Sequence, residues 1–208
     1  MKEKFNMKRS AVGWLSTFSM LLVLSAFTYQ LAYGEEEEEK EYEPADLAAL
    51  LGLLPNSKFS LADGLKLASK GAEMPISAKF EFDHDKKLSL SVYTAEKGLS
   101  LEPEDNVLKE LSGSPEQNAW SPAVEVFKDK RHLTRASGQL VLMSLSPRSL
   151  LEIVNDASKR QSGTVYSITP RLQARKPVFV VLVAKDAKVI SMAYDILTGK
   201  FVWQNERQ

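Results

Sequence analysis

The sequence predicts an α+β fold: two repeats, each one helix packed on an antiparallel β-meander, with a signal or anchor helix at the N-terminus. Three observations point there. A capped helical pattern opens at Ser60 and opens again at Ser149, 89 residues later. Each opening is followed by runs that alternate apolar and polar residues at period two, separated by short polar turns. The composition, 44% hydrophobic and 26% charged over 208 residues, is that of a globular chain able to bury a core.

The chain begins with Lys2, Lys4, Lys8 and Arg9, and then carries no charge from Ala11 to Tyr33. The densest apolar stretch, Met20 to Phe27, is short, and Ala32-Tyr33-Gly34 places small residues where a signal peptidase reads them. This is the three-part layout of a secretory signal, with cleavage expected between Gly34 and Glu35. The alternative is a retained anchor over residues 11–33, since about 20 apolar residues suffice to span a bilayer. Either reading puts the rest of the chain outside the cytoplasm, in the periplasm or secreted. No cysteine follows the apolar stretch, which excludes lipid attachment there.

Residues 1–34 hold four basic residues and one acidic residue, so the remainder keeps 23 basic against 26 acidic side chains. Such a balance argues against nucleic acid as a partner, because phosphate contacts need an excess of lysine and arginine on one face. The run Glu35 to Glu39, with Glu41 and Glu43, has like charges and little to bury, and reads as a solvated spacer. Asp46 to Leu54 reads as a short apolar helix stopped by Pro55-Asn56.

The first repeat opens with Ser60-Leu61-Ala62-Asp63, and the second with Ser149-Leu150-Leu151-Glu152. Both fit the capping box, in which the serine oxygen accepts a backbone amide and the carboxylate reaches back. Leu61, Leu65 and Ala68 share one helix face, as do Leu150, Val154 and Ala157. Both helices run into the same tripeptide, Ala68-Ser69-Lys70 and Ala157-Ser158-Lys159. The expected strands of the first copy are Ala78–Phe82, Leu88–Tyr93 and Gly98–Leu101. Those of the second are Val165–Ile168, Pro177–Val183 and Val189–Tyr194. Val178 to Val183 is apolar on both faces, which places that strand centrally. Between the copies, Ser121-Pro122 reads as a helix start, Gly138 as its end, and Gln139 to Leu145 as a further strand. The chain thus divides into a signal or anchor (1–34), an acidic linker with a short helix (35–57), a first repeat (58–112), a connecting helix and strand (113–145) and a second repeat (146–208).

The second copy resembles a PepSY domain. The resemblance rests on the capped helix from Ser149, on the strand Pro177-Val178-Phe179-Val180-Val181, and on the ending Tyr194 to Val202, which carries Asp195-x-x-Thr198-Gly199-Lys200. In that turn Asp195 is suited to cap and Gly199 to take a positive φ. The first copy departs from the pattern, with Glu102-Pro103-Glu104-Asp105 where the turn belongs. The resemblance implies a binding or inhibitory module of the cell envelope, with a peptidase among its candidate partners, and it transfers no catalytic set.

The residues themselves agree with a non-enzymatic reading. The absence of cysteine excludes thiolate sites, and having only His84 and His132 argues against the remaining metal and acid–base chemistries. No nucleophile elbow, zinc-peptidase helix or phosphate loop is present. Asp83-His84-Asp85 and the basic stretch Lys130-Arg131-His132 with Arg135 read as a polar turn and a solvated face. We therefore expect no catalytic residues, no metal and no cofactor. Trp120, Trp203 and Tyr93 are the candidate partner-binding residues. Tryptophan concentrates at the energetic centres of interfaces, and Tyr93 shares the polar side of its strand with Ser89 and Ser91. The alternative function is a membrane-anchored sensory or scaffolding subunit, which requires residues 11–33 to be retained.

Overall fold

A computed structural model describes residues 43–101 and 105–207. The signal or anchor expected over 1–34, and nearly all of the acidic spacer, lie outside the described residues. Among those described are four α-helices and eight strands. The helices are α1 (Pro44–Leu53), α2 (Leu61–Ala68), α3 (Lys130–Ser144) and α4 (Leu150–Arg160). The strands are β1 (Met74–Phe82), β2 (Leu88–Ala95), β3 (Leu108–Gly113) and β4 (Ala123–Val126), then β5 (Thr164–Gln173), β6 (Lys176–Lys185), β7 (Lys188–Asp195) and β8 (Phe201–Arg207). All eight form one antiparallel sheet in the order β4-β3-β2-β1-β5-β6-β7-β8. The fold is α+β, and the strands form a single continuous sheet because β1 pairs with β5 through Ala78↔Ile168 and Lys79↔Ser167.

The helix starts follow from their caps. Ser60 Oγ accepts the Asp63 amide at 3.1 Å, and Asp63 accepts the Ser60 amide at 3.0 Å. Ser149 and Glu152 do the same at 3.3 and 2.8 Å. Each reciprocal pair satisfies two amides that a helix N-terminus otherwise leaves without partners. The carboxylates gain by it. Hydrogen bonding from Ser60 holds Asp63 below the usual carboxylate range, and bonding from Ser149 does so for Glu152.

Register divides the sheet into two faces. Phe80, Leu90, Val92 and Ala78 share one face with Ile168, Val181, Phe179 and Met192, all essentially fully buried. On this side α2 meets the sheet so closely that a Cβ at Gly64 would stand 2.8 Å from Leu90 Cδ2. The guanidinium of Arg160, on α4, lies 5.1 Å from the Phe201 ring centroid on the same side. The opposite face carries Ser77, Lys79, Ser91 and Tyr93, and α3 covers it: Ser77 Oγ donates to Gln139 Oε1 at 2.9 Å. Val178 to Val181 of β6 are buried on both faces, as their unbroken apolar run predicts.

Three expectations need correction. Residues 98–101 do not form the third strand. Gly98 has φ +53°, Asn106 bonds Lys97 N and Gly98 O, and a short 3-10 turn results. The third strand is β3. Ser121-Pro122 does not start a helix either, because Ala123–Val126 pairs with Lys109–Ser112 as β4. The helix starts at its cap Asp129, whose carboxylate accepts the His132 amide at 3.0 Å. It then continues through Gly138 to Ser144, so Gln139–Leu145 is not a strand. Ala136, Leu140 and Met143 are buried at helical spacing, and this period overrides both the glycine and the apolar run.

Candidate functional site

The Asp195–Lys200 segment closes the β7–β8 turn. Asp195 Oδ1 accepts the amide and the hydroxyl of Thr198, each at 2.8 Å. The Asp195 amide donates to Lys200 O, and the Gly199 amide to Asp195 O. Gly199 has φ +65°, a conformation that glycine adopts without the Cβ penalty. Arg148, in the link between α3 and α4, lies against it and donates from Nη1 to Gly199 O at 2.7 Å and from Nη2 to Glu152 O at 2.9 Å. A Cβ on Gly199 would meet Arg148 Cδ at 2.3 Å. The turn therefore acts as a latch that ties the sheet end to the start of α4, and Arg148 is the partner the motif alone does not reveal.

Trp120, Tyr93 and Trp203 are not brought together. Trp120 is 8% exposed, and its indole N–H donates to Gly113 O at 3.4 Å. Tyr93 is 6% exposed. The Phe127 ring centroid lies 5.7 Å from that of Tyr93, the Arg135 guanidinium 5.5 Å and Lys79 Nζ 5.7 Å. The Ser89, Ser91, Tyr93 face is thus no open sheet surface. Trp203 is half-buried on β8, paired with Ala193. Of the three, only Trp203 offers substantial side-chain surface to a partner.

The polar clusters are committed to local structure. Asp83 Oδ1 accepts the amides of Asp85 and Lys87, each at 2.8 Å, and His84 stands exposed beside it. His132 Nδ1 pairs with Asp129 Oδ2 at 2.7 Å while the ring stacks on Phe127 at 5.2 Å. Asp156 is bound by Arg160 Nε at 2.6 Å. Beside it, burial pushes the Tyr194 hydroxyl upward, and the Asp156 charge adds to the shift. Among the described residues no three histidine, aspartate or glutamate side chains are grouped to hold a metal ion.

One polar arrangement was not anticipated. Glu110 on β3 stands directly opposite Glu125 on β4, and Ser91 and Lys79 lie on the same face. Burial raises the Glu110 carboxyl, Ser91 hydrogen bonding opposes this, and Glu81 and Glu125 raise it further. Lys79 is paired with Glu81 at 2.8 Å. Leu108–Gly113 does not alternate at period two, with its leucines three apart at 108 and 111, so no local pattern signalled this face, and only the pairing with β4 sets the two glutamates against each other.

No family model matches the sequence. No curated protein matches it. Among solved structures, a chain described as a "putative lipoprotein" from Clostridium difficile 630 aligns at 14% identity, over 73% of this chain and 95% of that one, with a TM-score of 0.39. At that score the likeness does not define a shared fold. Among the described residues no helix is long and apolar enough to cross a membrane.

Proposed function

We propose that this chain is an exported, non-enzymatic binding module of the PepSY type, acting outside the cytoplasm on a protein partner of the cell envelope such as a peptidase. The observation that carries the reading is the pattern around the β7–β8 turn. A capping-box helix leads into an antiparallel meander that closes on Asp195-x-x-Thr198-Gly199-Lys200, with Asp195 as cap and Gly199 at positive φ. The same order of capped helix and antiparallel strands occurs earlier, from Ser60 through β1, β2 and β3. It supports reading the chain as two related units. Both histidines sit in local structure: His132 is held by Asp129 and Phe127, and His84 stands exposed on the β1–β2 hairpin tip.

A second reading rests on the 23 uncharged residues from Ala11 to Tyr33: retained, they would make the protein a membrane-anchored sensory or scaffolding subunit. N-terminal sequencing of the purified native protein separates the two, since cleavage predicts a start at Glu35. The binding role is tested by capture from the envelope fraction followed by titration of the captured protein. For a peptidase, loss of activity in proportion to added chain is the expected result. Turnover of peptide or ester substrates by the chain itself, abolished by His84→Ala or His132→Ala, would refute the non-enzymatic reading.

A further inference from the structure

The sheet has two outer strands, and they differ. The β8 edge has its charge balanced by a neighbour: Glu206 pairs with Lys188, the first residue of β7, at 2.5 Å. The β4 edge does not. All four of its residues are exposed. Val124 and Val126 are 58% and 44% exposed on one face. On the other face, Glu125 directly opposes Glu110. Like charges facing each other on adjacent strands weaken the pair. Glu110 is partly compensated by a Ser91 hydrogen bond and by the charge of Lys79, which itself pairs with Glu81, whereas among the described residues no lysine or arginine closes an ion pair with Glu125.

We propose that the free edge of β4 docks an extended segment of a partner protein whose side chains alternate apolar, basic, apolar. The inference deepens the binding-module reading and rests on it. An added antiparallel strand would pair with the open backbone of β4, as edge strands readily allow. Its apolar residues would cover Val124 and Val126. Its lysine or arginine would stand beside Glu125 and relieve the opposition with Glu110. Charge complementarity thus selects the middle residue, and exposed apolar area selects its neighbours. Pro122 directly precedes the four-residue strand, which limits docking to a short segment and works against open-ended sheet growth.

The test uses two fluorescein-labelled peptides that differ at one position, with cores Thr-Val-Lys-Val-Thr and Thr-Val-Glu-Val-Thr, titrated by anisotropy into the purified chain. The lysine peptide is expected to bind about tenfold more tightly than the glutamate peptide, the size set by turning a cross-strand attraction into a repulsion. Glu125→Lys should reverse the preference, and Glu125→Gln should bring the two close to parity. Amide shifts on binding should centre on residues 122–127. Equal affinities for the two peptides, no binding of either, a preference untouched by Glu125→Lys, or shifts centred on β8 would each overturn the proposal. Failure here is distinguishable from failure of the parent reading. An envelope partner held equally well by wild type and Glu125→Lys leaves the binding role standing and removes β4 from it.

Discussion

Gly138 lies where local chemistry and tertiary packing give opposite answers, and one substitution separates them. The structure carries α3 straight through this residue, eight positions into a fifteen-residue helix. A Cβ built there meets nothing within 4 Å, so Gly138→Ala introduces no clash. In an exposed helix interior alanine is favoured over glycine by about 0.8–1.0 kcal/mol. The substitution should therefore stabilise the protein by about 1 kcal/mol, raising Tm by roughly 2–4 °C for a domain of this size. Gly199→Ala is the matched control. At φ +65° a Cβ costs about 1–2 kcal/mol, and the 2.3 Å approach to Arg148 Cδ adds to that. Urea unfolding followed by circular dichroism at 222 nm measures both. A Gly138→Ala protein destabilised by about 1 kcal/mol or more would mean that the glycine ends its helix with a left-handed residue, and the account of α3 would fall.

Three further outcomes follow from particular residues. Glu110 is a carboxyl raised by burial, so the folded state favours its protonated form more than the unfolded chain does. Its contribution to stability is fully present below the ordinary glutamate value of 4.5 and is lost as pH rises through the folded pKa. Glu110→Gln should accordingly raise Tm at neutral pH, with a gain that shrinks toward pH 4.5; a gain of equal size at both would refute the titration argument. The β5–β6 turn places Ala174 and Arg175 at φ +48° and +65°, a two-residue turn built from residues that pay for left-handed geometry. Replacing them together by Asn and Gly should stabilise by about 1–2 kcal/mol in thermal melts, and a loss would show that the turn is not of that type. Ser149→Ala removes one side of a capping box and should cost about 1 kcal/mol by urea unfolding.

Local signals survived into the structure wherever their physics is local. Ser60 with Asp63 and Ser149 with Glu152 define helix starts because each bond spans three residues and needs no distant partner. The alternation from Leu88 to Tyr93 named β2 for the same reason. Elements decided by distant partners were not legible. Ala123–Val126 is a strand because Lys109–Ser112 lies beside it, and Ser121-Pro122 offered a false helix start in its place. Gln139–Leu145 looks like a strand when read alone, but helical burial of Ala136, Leu140 and Met143 against the sheet determines its form. The candidate site shows the same division. The Asp195–Lys200 turn was readable, being local, whereas its clasp by Arg148 spans 51 residues of chain. Tyr93 and Trp120 were readable as significant aromatics, but the sequence holds no sign that Phe127 and Gly113 would enclose them.

The join between the strands of residues 74–126 and those of residues 164–207 calls for a separate account. The β1–β5 ladder runs through only Ala78↔Ile168 and Lys79↔Ser167, far less than the eight register pairs that hold β6 to β7. A seam so short needs side-chain support, and α3 provides it from the polar face. Ser77, on β1, donates to Gln139, on α3, and the two residues are 4% and 7% exposed. Removing one partner leaves the other buried without a bond, at a cost of about 1–3 kcal/mol, whereas removing both with apolar groups of similar shape is close to neutral. Ser77→Ala and Gln139→Leu should therefore each destabilise, and the double variant should recover most of the loss. A double-mutant cycle in urea reads this coupling directly. Strictly additive losses would show that the bond does not support the seam, and would leave its cohesion to the packing of α2 against α4 on the opposite face.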